Sequence, residues 1–76
     1  MKWVAETSQP RSLRLVIECQ KLTSIVPGVP DQFGYYLYVW ENGRGIEDDL
    51  QDTLEWAMTV AFESYQVPKD AWRQVE

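Results

Sequence analysis

The sequence contains no histidine. That removes the commonest general base, the commonest zinc ligand, and the Ser-His and Cys-His pairs of nucleophilic catalysis. It contains a single cysteine, Cys19, so no internal disulfide can form and a reducing compartment fits. With no histidine to lower its pKa, Cys19 reads as a small buried hydrophobe rather than a reactive thiol. Long apolar runs are also missing. Nothing approaches the roughly 18 residues of a membrane span, and Met1 to Pro10 lacks the continuous apolar core of a signal peptide. The expected setting is soluble and cytoplasmic, in a bacterial style. Basic residues are scarce, with 7 Lys and Arg against 12 Asp and Glu and a formal net charge of −5. Such a chain repels nucleic acid phosphates, so no nucleic acid partner is expected, and without a long apolar run no membrane partner is expected either. No phosphate-binding loop is visible, because Gly43-Arg44-Gly45 lacks both the further glycine and the helix start that such loops need.

What is present is a chain of 76 residues, enough for one domain. Domains this short bury only about 60% of their unfolded surface. Four tryptophans, four tyrosines and two phenylalanines offset that, since each aromatic buries a large area.

The strongest pattern lies between Asp52 and Tyr65. Leu54, Ala57, Met58, Ala61, Phe62 and Tyr65 recur at the spacing of an amphipathic helix. Asp52 stands three residues before Glu55, which predicts a capping box with Asp52 as N-cap. Val67-Pro68 ends the run, because the proline ring disfavours helical geometry in the residue before it. Leu54, Met58 and Phe62 are expected in the core with Leu15, Ile17 and Leu37. A short helical turn starting at Pro68 follows, with Trp72 as a lid over the open end of the core.

Ahead of the helix the period changes to two. Over Ser12–Leu22 the residues Leu13, Leu15, Ile17 and Cys19 alternate with Arg14, Val16, Glu18 and Gln20, the signature of a strand with one apolar face. Thr23–Phe33 is a long loop dense in turn residues. Gly34–Glu41 is a second strand. Asn42-Gly43 is a strong hairpin signal, because a type I′ turn needs positive φ at both central positions. Arg44–Leu50 therefore reads as a third strand. Met1–Glu6 fits either a short edge strand or a segment lying across the core, and Ser8-Gln9-Pro10 interrupts it. The expected fold is α+β: a three-stranded antiparallel sheet, order β-β-β-α, with one amphipathic helix on one face and a short C-terminal helical turn.

Two features bear on function. Leu37 and Val39 belong with the apolar face of the first strand, which leaves Tyr36, Tyr38 and Trp40 on the other face. One helix cannot cover both faces of a sheet, so this aromatic row is a candidate protein-binding surface. The second feature is an acidic ridge: Glu41, Glu47, Asp48, Asp49, Asp52 and Glu55 stand against Arg44 alone between residues 41 and 55. Glu47, Asp48 and Asp49 are its candidate contact residues for a basic partner. The plain alternative is a solvated region near a helix N-terminus, where carboxylates are favoured anyway. The same carboxylates could serve a divalent cation, but they do not match an EF-hand, and consecutive side chains on a strand point to opposite faces. No metal site, cofactor or catalytic residue is assigned.

Asp52-Thr53-Leu54-Glu55 with Ala57 resembles the D-T-L-E-x-A segment of small bacterial sheet-then-helix proteins, among them antitoxins of the HicB type. The order of strand, long loop, tyrosine-rich strand, turn, strand and helix is similar to theirs. The P-D-L-P-G segment that follows the second strand in HicB-type domains is replaced here by Trp40-Glu41-Asn42. The resemblance implies the sheet-then-helix fold and secures no activity. The functional expectation is a non-enzymatic interaction module, antitoxin-like or immunity-like. It would bind a protein partner, or a second copy as a homodimer, through the aromatic sheet face. The alternative is a small carboxylate-based enzyme or divalent-metal-binding protein.

Overall fold

The computed structural model describes residues 1–8 and 11–76. The interruption expected at Ser8-Gln9-Pro10 falls in part on Gln9 and Pro10, which lie outside the described residues.

Among the described residues the sheet has five strands, not three. They are β1 (Lys2–Thr7), β2 (Leu13–Leu22), β3 (Gln32–Glu41), β4 (Arg44–Gln51) and β5 (Arg73–Gln74), in the spatial order β4-β3-β2-β1-β5. Every pairing is antiparallel. The class remains α+β, but the strand count is corrected at both ends of the chain. Met1–Glu6 is the edge-strand case: Trp3, Val4 and Ala5 are all buried. It is not the outer strand, because the C-terminal segment pairs beside it. Val75 N–H donates to the Lys2 carbonyl at 2.8 Å, and Lys2 N–H donates to the Glu76 carbonyl at 3.0 Å. A two-residue strand is too short to show any period, which is why the sequence hides it.

The β3–β4 hairpin closes as its sequence demands. Asn42 and Gly43 have φ of 54° and 77°, the left-handed pair that a type I′ turn requires. A register shift between Val39 and Trp40 then sets Val39 opposite Glu47 and Trp40 opposite Gly45. The longer β2–β3 connection carries a tight turn at Val26-Pro27-Gly28-Val29. Val29 N–H donates to the Val26 carbonyl at 3.2 Å, and Gly28 takes φ of 84°, the type II arrangement with proline second and glycine third. β2 and β3 stay paired out to Leu22 and Gln32. The molecule is 47 Å long and only 24 by 23 Å across.

The helix α1 spans Leu54–Tyr65. Its N-cap is Thr53, not Asp52: Thr53 Oγ1 accepts from Trp56 N–H at 3.1 Å. The capping box at Asp52 and Glu55 is therefore not formed, because the chain enters the helix one residue later. At the other end Gln66 takes a left-handed φ of 61°, and its N–H donates to the Phe62 carbonyl at 2.9 Å. The chain reverses there, and Val67, fully buried, turns back into the core.

α1 rests on its alanines. Ala57 and Ala61 are fully buried against Leu15, Ile17, Leu37 and Val39. Leu54, Met58, Val60 and Tyr65 pack around them, partly buried. Phe62 was expected in the core and is 55% exposed. The reason is steric. Two alanines let the helix axis approach the sheet closely along their own line, and successive residues lie about 100° apart around the axis. Phe62, next to Ala61, is carried to the rim, while Val60 on the other side is drawn in. The space is filled from elsewhere: Val67, Trp3 and Trp72 join the same cluster. Lys69–Ala71 forms the short C-terminal turn as a 3₁₀ helix capped by Pro68. Trp72 is half-buried, with an indole N–H that finds no acceptor among the described residues.

Candidate interaction surface

Odd-numbered residues of β2 and β3 face α1, so the even-numbered ones form the opposite face. The registers arrange that face in rows across the strands. One row runs Arg73, Val4, Val16, Tyr38 and Asp48. Beside it, toward the type I′ turn, runs Glu6, Arg14, Trp40 and Gly45. On the other side runs Lys2, Glu18, Tyr36 and Leu50.

Tyr36, Tyr38 and Trp40 form a continuous ladder along β3. Tyr36 and Tyr38 stack with ring centroids 6.0 Å apart and planes 13° apart. Tyr38 and Trp40 follow at 5.7 Å and 34°. All three are half-buried. Each shields one side of the next, while no helix lies over them. Val4 and Val16 beside them are buried among longer neighbours. The face holds a shallow depression of about 760 Å³ bordered by Lys2, Glu6, Arg14, Val16, Tyr38 and Trp40.

The acidic candidates do not stay together. Asp48 lies on the aromatic face, opposite Tyr38. Glu47 and Asp49 lie on the helix face. Glu47 accepts a hydrogen bond from the Tyr65 hydroxyl, and Asp49 accepts one from Gln51 Nε2 at 2.8 Å. Alternation along the strand splits the ridge. Among the described residues no three carboxylate or thiol side chains converge on one point, and no helix is long and apolar enough to cross a membrane.

The aromatic face carries charge of both signs. Lys2 Nζ lies 3.0 Å from Glu76 and 3.8 Å from Glu18. A hydrogen bond to Glu76, reinforced by its charge, raises the Lys2 pKa above the ordinary lysine value. Arg73 lies 3.8 Å from Glu6. Arg14 sits on the central strand beside Trp40 and takes part in none of the ion pairs among the described residues. The period-two pattern of β2 already placed Arg14, Val16 and Glu18 on this face. Lys2, Val4, Glu6 and Arg73 escape sequence reading because they depend on β1 and β5 joining the sheet.

Cys19 lies on the helix side, half-buried, paired across the strands with Tyr35. A hydrogen bond with Cys19 pushes the Tyr35 phenol pKa upward, and burial adds to it. A second apolar surface lies at the β2–β3 connection, where Ile25, Val26, Val29 and Phe33 are all exposed.

Compared with known proteins, the chain matches no family model, no curated protein and no solved structure.

Proposed function

We propose that this protein is a small non-enzymatic interaction or regulatory module, antitoxin-like or immunity-like, that binds a protein partner through the uncovered face of its sheet. The observation that carries this reading is the Tyr36–Tyr38–Trp40 ladder on the face opposite α1. Tyrosine and tryptophan combine large contact area with a polar handle and dominate binding energy where they are buried by a partner. Large apolar patches left open on a small domain mark contact sites. A single half-buried cysteine and no histidine fit a reducing, cytoplasmic setting and give no nucleophile–base pair for catalysis.

The double variant Tyr38→Ser with Trp40→Ser tests the reading. It should keep its circular dichroism spectrum and lose association, followed by sedimentation and by pull-down. A variant that unfolds with no earlier change in association would make the ladder a part of the core and end the proposal.

A further inference from the structure

We infer that the occupant of this face is a second copy of the same chain, packed face to face about a two-fold axis that lies along the row Val4–Val16–Tyr38. The inference rests on the reading above and names its partner. It follows from the order of charges. On β1, Lys2 and Glu6 stand two residues to either side of Val4; on β2, Glu18 and Arg14 stand two residues to either side of Val16. Lys2 shares its side with Glu18, and Glu6 shares the other with Arg14. A half-turn about the row exchanges the two sides. It sets Arg14 over Glu18 of the second copy, Lys2 over Glu6 of the second copy, and each relation occurs twice.

The aromatics obey the same operation. Trp40 meets Tyr36 of the second copy, and the two Tyr38 rings meet at the axis. A two-fold interface must be self-complementary in this way, residue i on j and j on i. The competing arrangement, a half-turn about the strand direction through β2, sets Arg14 on Arg14 and Glu18 on Glu18. Like charges opposed in an interface weaken association strongly. Arg14 is also the one central cation on this face without an ion pair among the described residues. Stacked sheets lie about 10 Å apart, within reach of an arginine and a glutamate extended toward each other. The same half-turn sets Asp48 against Asp48 and Arg73 against Arg73, but these pairs lie at the two ends of the axis, where both residues are exposed and salt weakens their repulsion.

The size sets the strength. The overlapping part runs along β2 from Leu13 to Cys19 and across the four longer strands. At strand spacings that is about 23 by 19 Å, or about 440 Å² on each copy. Interfaces of about 900 Å² in total are at the small, reversible end of specific association. The dimer therefore forms and dissociates with concentration.

Sedimentation equilibrium of the full chain from micromolar to millimolar concentration tests this, with circular dichroism as a check on folding. Wild type should pass from monomer to dimer. Arg14→Glu alone and Glu18→Arg alone should each weaken the dimer about a hundredfold or more, because each sets like charges together twice. The double variant Arg14→Glu with Glu18→Arg should restore it, and so should mixing the two single variants, which pair only with each other. A merely structural role for either residue predicts no such rescue. A wild type that stays monomeric throughout overturns the homodimer and leaves the face open to another protein. Association that survives both single reversals but is lost in Tyr38→Ser with Trp40→Ser overturns this axis and keeps the face. Association that survives all of these variants places the contact elsewhere and overturns both proposals.

Discussion

Thr53 and Trp56 are joined by the hydrogen bond that starts the helix: the Thr53 hydroxyl accepts from the Trp56 backbone N–H at 3.1 Å. Asp52, one residue earlier, makes no such bond. Thr53→Ala should therefore destabilise the protein by about 0.5–2 kcal/mol. Asp52→Ala should cost clearly less, retaining only a part in the charge near the helix N-terminus. Urea denaturation of both variants checks this. Equal losses would move the helix start back to Asp52.

Leu37 and Phe62 separate the true core from the expected one. Leu37 is fully buried, while Phe62 is 55% exposed. Leu37→Ala should cost about 2–5 kcal/mol, the range for a large-to-small change in a packed interior. Phe62→Ser should stay within about 0.5 kcal/mol of wild type, as surface changes usually do. A large loss at Phe62 in thermal or urea unfolding would show that the helix is rolled further toward that residue.

Gly43 and Gln66 both take positive φ, and they should respond in opposite directions. A Cβ added at Gly43 would meet nothing within 4 Å, so Gly43→Ala makes no clash and lowers stability through left-handed backbone strain alone. The left-handed cost for an ordinary residue is about 1–2 kcal/mol. Gln66 already bears that cost at the helix C-cap. Gln66→Gly should relieve it and raise stability by up to about 1 kcal/mol, since glycine is the preferred residue there. Denaturation midpoints of the two variants give the signs directly.

Lys2 links the first strand to the C-terminus, and its raised pKa makes the link pH-dependent. The charged form is favoured by folding, so the contribution is fully present below the ordinary lysine value of 10.5. It disappears as pH rises through the higher folded value. The gap in Tm between wild type and Lys2→Met should be visible near neutral pH and close in strong alkali. A gap that widens with pH would mean that the ammonium group opposes folding. The pair is exposed, so the effect is small.

Much of this architecture is legible residue by residue. Period two in Leu13–Cys19 and in Tyr35–Trp40 is a local property of a pleated strand. It alone separates Leu37 and Val39 from Tyr36, Tyr38 and Trp40. Asn42-Gly43 specifies its own turn, because few other pairs tolerate two left-handed residues in succession. The apolar spacing from Leu54 to Tyr65 marks the helix and its length to within a residue or two.

Tertiary structure decided the rest. Whether Lys2–Thr7 pairs with β2, and whether Arg73–Gln74 pairs with β1, depends on contacts between residues far apart in the chain, and segments that short carry no period of their own. The roll of α1 depends on how closely two alanines approach Leu15 and Leu37, whereas a spacing rule weights every apolar residue alike and points Phe62 inward. Asp52 lost the cap to Thr53 because both residues can accept the bond, and the path of the chain leaving β4 chooses between them. The alternation of charge around Val4 and Val16 is written in two separate stretches of sequence. It becomes a surface only when their register sets Lys2 beside Glu18 and Glu6 beside Arg14, since cross-strand neighbours are defined by pairing and not by position along the chain.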